Sequence, residues 1–141
     1  MGAFLESDGA AVPLHVSKEQ TAAKMTMAFG RTTRPVRTEA IRQQLRIPDL
    51  IVLGSVGLKV GLICEGRAHL YVHTGVRTHL WDTCGPEAIL LEAGGRMTDM
   101  SGQPLQYTAR EPRNANGLIA STGVIHERAV RVTQSVVESF R

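Results

Sequence analysis

The chain has 141 residues, enough for one domain with a hydrophobic core of its own. Apolar residues make up 43% of it and aromatic residues only 4%, which predicts an aliphatic core. The net charge of +3 and the lack of aromatic residues among the basic ones argue against nucleic-acid binding. No run of 18 apolar residues occurs, so we expect no membrane span. Two cysteines do not form a disulfide framework, which favours a reducing, cytoplasmic setting.

The first third of the chain predicts strands followed by a helix. Residues 3–16 indicate two short strands around a Ser-Asp-Gly turn, and residues 24–30 alternate as a further strand. A helix is expected from a capping Thr38 to Arg46. The apolar run 49–53 then predicts a strand covered on both faces.

The rest of the chain alternates helices with strands. A Gly-rich turn leads into a helix over residues 58–65 that ends at Gly66. The later elements are expected to be a strand over 69–72, a helix from Asp82 to the Gly94-Gly95 pair, strands over 96–99 and 117–120, and a helix from Ile125 to Phe140. This alternation predicts an α/β fold, a layered mixed sheet flanked by helices.

Asp82, in the stretch from Leu80 to Gly95, is the strongest candidate for chemistry. An acid before an apolar run is typical of an N-cap, whose side-chain oxygen accepts a free N–H of the first helical turn. Pro86 fits that first turn, and the expected buried face consists of Ala88, Ile89, Leu91 and Ala93. A helix N-terminus can offer a carboxylate to a cation and N–H groups to phosphate. Spacing alone favours the plain alternative, an ordinary N-cap behind a core Trp81.

Lys59 and Ser55, around Gly57 in a Gly-rich turn, form a second candidate site. Two interpretations are open for Lys59: a phosphate-binding lysine helped by Ser55 and the N–H groups of the turn, or an exposed helix lysine. The spacing of G-S-V-G-L-K is not that of a P-loop.

An arginine-rich segment precedes this turn, with five arginines among residues 31–46. Arg31 and Arg34 fit a phosphate-facing patch and a solvated helix face equally well. Arg37, Arg42 and Arg46 fall inside the expected helix, which favours the solvated face for those three.

Two other chemically active residue types are set aside. His69 and His73 are expected on one strand, where their Cα atoms lie roughly 13 Å apart, too far for one zinc ion. Cys84 lacks the C-x5-R phosphate loop of a cysteine phosphatase, so we expect a small packed residue. Glu92 and Asp99 are interpreted as structural.

The sequence around Asp82 resembles a family signature. W-D-T-C-x-P-E-A-I-L followed by E-A-G-G resembles the second signature of the inositol monophosphatase superfamily. Its Thr-Cys-x-Pro-Glu-Ala version is similar to the 3′(2′),5′-bisphosphate nucleotidase branch, which includes the bacterial CysQ-type enzymes. Four further segments follow in the family's order and spacing: GSVGLK (54–59), ICEGRAHLYV (63–72), RMTDMSGQPLQY (96–107) and NGLIAST (116–122).

The resemblance implies a Mg²⁺-dependent phosphoric monoester hydrolase that converts adenosine 3′,5′-bisphosphate to AMP and phosphate. Asp82 would be the catalytic metal ligand. The implied substrate-binding residues are Lys59, Ser55, Gly57, Arg31, Thr32 and His73. The chain departs from the family's pattern at two of these positions. Thr32 and Thr33 stand for a serine and a histidine, and His73 stands near an arginine whose contact Arg77 would take over.

The resemblance also implies that a large part of the metal site lies outside this chain. The family's Glu-rich helix and D-P-x-D-G-T motif do not occur here. A lone carboxylate binds Mg²⁺ weakly, so we expect the isolated chain to be inactive. Residues 1–20 are interpreted as remnant strands of a missing N-terminal lobe, and residues 21–141 as the C-terminal lobe of the family's αβαβα fold.

The expected partners are a nucleotide bisphosphate and either a missing N-terminal half or a second copy of the chain. Two alternatives stay open. One is an inositol monophosphatase or a fructose-1,6-bisphosphatase-like sugar phosphatase. The other is a non-catalytic lobe that binds nucleotide or pairs with another subunit.

Overall fold

The computed structural model describes residues 1–31, 36–108 and 110–141. The described strands are β1 (Phe4–Ser7), β2 (Ala10–Pro13), β3 (Thr26–Gly30), β4 (Asp49–Leu53), β5 (Leu70–His73), β6 (Arg96–Thr98) and β7 (Leu118–Ser121). The described α-helices are α1 (Val36–Leu45), α2 (Val56–Cys64), α3 (Leu80–Glu92) and α4 (His126–Ser139), and a 3₁₀ turn spans Ala22–Lys24. In this part of the chain no helix combines the length and the apolar character needed to cross a bilayer.

Five of the strands form a mixed sheet with helices on both faces, which confirms the predicted α/β class. The strand order is β4-β3-β5-β7-β6. β3 runs parallel to both β4 and β5, whereas β7 runs antiparallel to β5 and β6. Successive residues of a strand point to opposite faces, so each strand supplies side chains to two cores.

The two cores separate by helix pair. On one face α2 and α3 pack with Ala28, Tyr71 and Ala120 of the sheet. On the other face α1 and α4 pack with Met27, Phe29 and further strand residues. The sheet is therefore the middle layer of three, as the aliphatic composition and the strand–helix alternation predicted.

Two predicted elements, the helix α1 and the strand β4, differ from the structure. The helix begins at Val36, and Thr38 lies buried inside it rather than at its N-cap. It ends at Leu45 because Arg46 adopts a left-handed φ of 60°, which stops the helix. β4 was expected to be covered on both faces, but it is the edge strand of the sheet, with Val52 39% exposed.

α3 also differs from its prediction. It begins at Leu80, so Asp82 is the third helical residue and accepts a hydrogen bond from the His79 backbone N–H at 2.9 Å, one half of a capping box. Pro86 consequently lies in the helix interior and not in its first turn. Ile89 and Leu91 are 49% and 54% exposed, and the exposed Ala88 also differs from the expected buried face. Leu90 and Ala93 are the residues that pack inward.

Gly95, just after α3, is required where it stands. A Cβ there would lie 2.3 Å from Leu90 Cδ1 and 2.7 Å from the Ser121 carbonyl oxygen. The double glycine that was predicted to stop the helix therefore also allows the chain to pass against β7. Gly94 supplies the stop with a φ of 93°.

α4 follows the predicted periodicity at Ile125, Ala129 and Val136, which are buried. Phe140 was expected to continue this face, but it lies beyond the helix end and is 44% exposed. Glu127 pairs with Arg96 of β6 at 2.5 Å.

The hairpin of β1 and β2 stands apart from the main sheet. Asp8 and Gly9 form its turn with φ angles of 51° and 80°, as the predicted Ser-Asp-Gly turn requires. All eight strand residues are exposed, and among the described residues no third strand pairs with them. A two-stranded sheet of this length is marginally stable by itself.

A buried hydrogen-bond chain joins β6, β7 and α4 through His126. Thr98 Oγ1 donates to the Asp99 carbonyl at 2.8 Å, so its oxygen accepts from His126 Nε2–H at 2.9 Å. His126 Nδ1 then accepts from the Ser121 hydroxyl at 2.8 Å. This arrangement needs the neutral imidazole with its hydrogen on Nε2, because both partners of a charged ring would have to accept.

His126 should make stability depend on pH. Burial, followed by the charge of Arg96, lowers its pKa from 6.5 to about 4. Between these values the unfolded chain binds a proton that the folded chain does not. Above pH 6.5 the histidine is neutral in both states and does not affect the free energy of unfolding. As the pH falls from 6.5 to 4, the free energy of unfolding decreases by about 3 kcal/mol. Denaturant unfolding at a series of pH values measures this loss.

His126→Gln should remove most of the loss in this pH window, because glutamine does not titrate. His15→Gln, a change at an exposed histidine, is the matched control and should leave the pH profile unchanged. Equal pH slopes for the parent and for His126→Gln would show that another group sets the dependence.

Candidate functional site

A cleft lies at the carboxyl ends of β3, β4 and β5, where the chain changes the face of the sheet that it covers. β3 continues to α1 on one face, and β4 continues to α2 on the other. Adjacent parallel strands whose connections leave on opposite faces form a crevice in which α/β proteins commonly bind ligands. The cleft has a volume of about 1020 Å³. Its described lining consists of Gly30, Arg31, Val36, Arg37, Thr38, Gly54, Ser55, Val56, Lys59, residues 71–78, Asp82 and Phe140.

Lys59 lies on the wall of this cleft with its side chain largely enclosed. The residue is only 4% exposed, and its Nζ lies 4.7 Å from the centroid of the Tyr71 ring. The described part of the chain offers its ammonium no ion pair with a carboxylate. Burial lowers the pKa of Lys59, because the charged form has lost water without gaining an anion. An anion in the cleft would restore the balance.

Ser55 caps the N-terminus of α2 beside Lys59. Its Oγ accepts a hydrogen bond from the Leu58 N–H at 3.4 Å. Its backbone adopts φ 64° and ψ 138°, a conformation that only glycine reaches without strain. Strain of this kind persists where the surrounding structure enforces it, and it often marks a binding site. The N-terminal N–H groups of α2 add a partial positive charge at this end of the cleft.

Gly57 does not line the cleft. A Cβ at this position would lie 3.6 Å from Ser55 Oγ and 3.8 Å from Pro86 Cγ. The glycine therefore stands where the first turn of α2 meets α3. It affects the cleft through the position of these two helices.

His73, at the end of β5, lines the cleft close to two cations. Its Nε2 is buried and has no hydrogen-bond partner among the described residues. Burial, followed by the charges of Lys59 and Arg77, lowers its pKa, so the ring is neutral at pH 7. Arg77 lines the same cleft.

Asp82 faces the cleft from the first turn of α3, on the same side as Lys59. Its side chain is 40% exposed, and its Oδ2 accepts from the His79 N–H. The negative charge is close enough to contribute, after burial, to the raised pKa of Tyr71. Asp82, Gly54 and Ser55 all line this cleft, although α3 begins two residues earlier than expected.

The residues that the structure describes offer no complete metal site. They include no group of three or more His, Cys, Asp and Glu side chains that could hold an ion. Mg²⁺ prefers six oxygen ligands and keeps its water unless several carboxylates converge. Asp82 is the acidic residue among the described residues that line the cleft.

The arginine-rich segment divides in the structure. Arg31 and Arg37 line the cleft, whereas Arg42 pairs with Glu39 and donates to the Ile47 carbonyl oxygen at 2.6 Å. The sequence favoured a solvated helix face for Arg37, which is wrong in that this residue borders the cleft. Thr32, Thr33 and Arg34 lie outside the described residues.

Several other predicted roles have clear outcomes. His69 Nδ1 accepts from the Thr26 N–H at 3.0 Å and its Nε2 contacts Ser17 Oγ at 3.2 Å, so it is structural. Asp99 is also structural, because its Oδ1 accepts from the Ser101 and Gln103 N–H groups. Cys84 was expected to be packed but is exposed. Trp81 is not a core residue: it is 65% exposed and stacks on the His79 ring at 4.3 Å.

Two residues of the cleft were missed from the sequence. The Tyr71 ring makes a cation–π contact with the Lys59 ammonium, and Phe140 also lines the cleft. The ring of Phe140 has the Arg37 guanidinium 6.0 Å from its centroid. A pairing between residues 103 positions apart follows from the packing of α1 on α4, for which no local sequence pattern is a signal.

Taken together, the cleft can hold an anion. Lys59 and Arg77 provide charge, and the α2 N-terminus provides N–H groups. A carboxylate, Asp82, stands at the same wall and can approach a cation that accompanies the anion.

Comparisons with known proteins agree with this description. Residues 1–138 match the model of the inositol monophosphatase family. The chain is 38% identical over 91 residues to 3′(2′),5′-bisphosphate nucleotidase 1 of Rattus norvegicus, covering 63% of this chain and 30% of that protein. It is 37% identical over 87 residues to 3′(2′),5′-bisphosphate nucleotidase CysQ of Haemophilus influenzae, covering 62% of this chain and 32% of that protein.

Solved structures give the same result for the fold. An IMPase from Thermotoga maritima superposes with a TM-score of 0.75 at 26% identity, covering 97% of this chain and 52% of that one. SuhB of Mycobacterium tuberculosis superposes with a TM-score of 0.71 at 19% identity, covering 96% of this chain and 51% of that one. The chain thus spans about half the length of these structures and about a third of the curated relatives. With the family model matched over nearly its whole length, the chain belongs to the inositol monophosphatase family.

Proposed function

We propose that this chain is the C-terminal part of a Mg²⁺-dependent 3′(2′),5′-bisphosphate nucleotidase, a phosphoric monoester hydrolase that converts adenosine 3′,5′-bisphosphate to AMP and phosphate. The observation that carries the proposal is the enclosed ammonium of Lys59, which has no carboxylate partner among the described residues and lies beside the N-terminus of α2. A phosphate group satisfies both features. The relatives at 37% and 38% identity are named as bisphosphate nucleotidases, which favours this substrate over an inositol or sugar phosphate.

In this proposal the chain's own residues bind and orient the substrate. Lys59 and Arg77 would hold phosphate oxygens, with Ser55 donating its hydroxyl hydrogen from the cap position. Arg31, which follows β3 and lines the cleft, would contact the nucleotide, whereas the same role for Thr32 falls outside the described residues. His73, whose pKa is lowered by burial and then by its cationic neighbours, would contribute a hydrogen bond and no charge.

Mg²⁺ would act in such an enzyme by polarising the phosphoryl oxygens and providing an activated water. The donor set described here does not fit a complete Mg²⁺ site, because it supplies Asp82 alone. We therefore expect the isolated chain to bind nucleotide without hydrolysing it. This expectation makes the non-catalytic, nucleotide-binding lobe the right description of these 141 residues on their own.

The exposed hairpin suggests where further polypeptide would dock. Leu5 and Val12 face each other across the two strands and are 44% and 57% exposed, and Phe4 on the other face is 59% exposed. The solved neighbours contain about as much chain again as this one. We infer that the hairpin pairs with the remaining half of such an enzyme and that, without it, a second copy takes its place.

Lys59→Met should separate binding from folding. The methionine keeps the packing on Tyr71 and removes an unpaired buried charge, so the free energy of unfolding should stay equal or rise by about 1 kcal/mol. Affinity for adenosine 3′,5′-bisphosphate should fall at least about tenfold, the equivalent of about 1.4 kcal/mol. Calorimetric titration measures the affinity. Lys18→Met, at an exposed lysine outside the cleft, is the control, and equal affinities for both variants would refute the role of Lys59.

Ser55→Gly should stabilise the fold and weaken binding at once. Glycine removes the strain at φ 64° and loses little as a cap, so the free energy of unfolding should rise by about 1 kcal/mol. The lost hydroxyl should lower affinity for inorganic phosphate. Arg46→Gly relieves a similar φ of 60° at the end of α1 and should stabilise the fold with phosphate affinity unchanged. A loss of stability in Ser55→Gly alone would mean that the serine cap outweighs the strain.

The double variant Leu5→Lys, Val12→Glu tests the hairpin. The new ion pair keeps the cross-strand contact while removing the apolar surface. Sedimentation velocity should detect concentration-dependent association of the parent chain and a monomeric double variant. Leu91→Lys with Val124→Glu, which changes exposed apolar residues elsewhere, should still associate. A parent that sediments as a monomer at all concentrations contradicts the proposed docking surface.

A further inference from the structure

Part of the rim of the cleft is apolar. Phe140, Val36 and Val76 line the cleft and are 44%, 70% and 53% exposed. The cations Lys59 and Arg77 also line it, and Lys59 belongs to α2 on the opposite face of the sheet. One cleft therefore combines a phosphate-binding region with an apolar rim.

The Phe140 ring is held in place by its neighbour. The Arg37 guanidinium lies over the ring, 6.0 Å from its centroid, within the range of a cation–π contact. Such a contact limits the rotation of a side chain that is otherwise half exposed. Phe140 is 44% exposed and lines the cleft, so part of its surface is available to a ligand bound there. Stacking of a nucleobase on an aromatic side chain or on a guanidinium plane is a common way to hold it.

We propose that Phe140, positioned by Arg37, is the platform on which the base of a bound nucleotide stacks, and that it makes the cleft select nucleotides over sugar and inositol phosphates. The proposal rests on the proposed function, because it assumes that phosphate occupies the Lys59 side of the same cleft. Inositol and sugar phosphates carry no aromatic ring, so they gain nothing from this wall. This role would also explain why the Phe140 side chain is 44% exposed.

The test compares AMP with ribose 5-phosphate, two ligands that differ only in the base. Phe140→Leu should weaken AMP binding about fivefold or more, the equivalent of about 1 kcal/mol of stacking, and leave ribose 5-phosphate affinity unchanged. Phe4→Leu makes the same substitution at an exposed phenylalanine on the hairpin and should change neither affinity. Lys59→Met should weaken both ligands.

A second variant keeps the test decisive if Phe140→Leu folds poorly. Phe140→Trp in a Trp81→Phe background should bind AMP at least as tightly as the parent, and AMP but not ribose 5-phosphate should quench its fluorescence. Phe140→Leu that weakens both ligands equally, or neither, together with an unquenched tryptophan, overturns the platform while leaving the proposed function intact. A parent chain that binds neither ligand overturns the proposed function, and the platform with it.

Discussion

The structure around the cleft depends on one electrostatic imbalance, the enclosure of the Lys59 ammonium without a carboxylate partner among the described residues. Removing a charge from water costs several kcal/mol unless an opposite charge or strong hydrogen bonds replace the water. The ring of Tyr71 supplies only a partial replacement, since a cation–π contact with a desolvated cation is worth about 2 kcal/mol. An anion bound in the cleft would remove the remaining deficit. Ser55 strain, the α2 N-terminus and the neutral His73 are all arranged around this one cation.

Sheet topology explains why these groups meet. β3 and β4 send their connections to opposite faces, and the crevice between them opens at the carboxyl ends of the strands. α2 and α3 then place Lys59 and Asp82 on one side of this crevice, and α1 and α4 place Arg37 and Phe140 on the other. The cleft is thus built from segments that are far apart in the sequence, and the two helix pairs contribute different types of side chain.

The sequence predicted well wherever a local rule governs the backbone. The Asp8-Gly9 turn and the stop at Gly94 have the predicted form, since a positive φ has a recognisable residue preference. The start of α3 was placed two residues too late, because an acid at the third helical position of a capping box resembles an N-cap. β4 was expected to be covered on both faces because a continuous apolar run is typical of a buried strand, but the run also occurs here in an edge strand. The sequence motifs pointed to Ser55, Lys59 and Asp82 as cleft residues. They did not point to Arg37 and Phe140, because the contact between these two depends on how α1 packs on α4.

A direct measurement of the central claim is the titration of Lys59 itself, followed by the ¹³C chemical shift of its ε carbon in the presence and absence of ligand. Without ligand the pKa of Lys59 should lie below the ordinary lysine value of 10.5, because burial penalises the charge. Adding adenosine 3′,5′-bisphosphate should raise it, since the bound phosphate favours the ammonium. A pKa of Lys59 that shows no lowering in the free chain and does not move when the nucleotide is added would contradict the account.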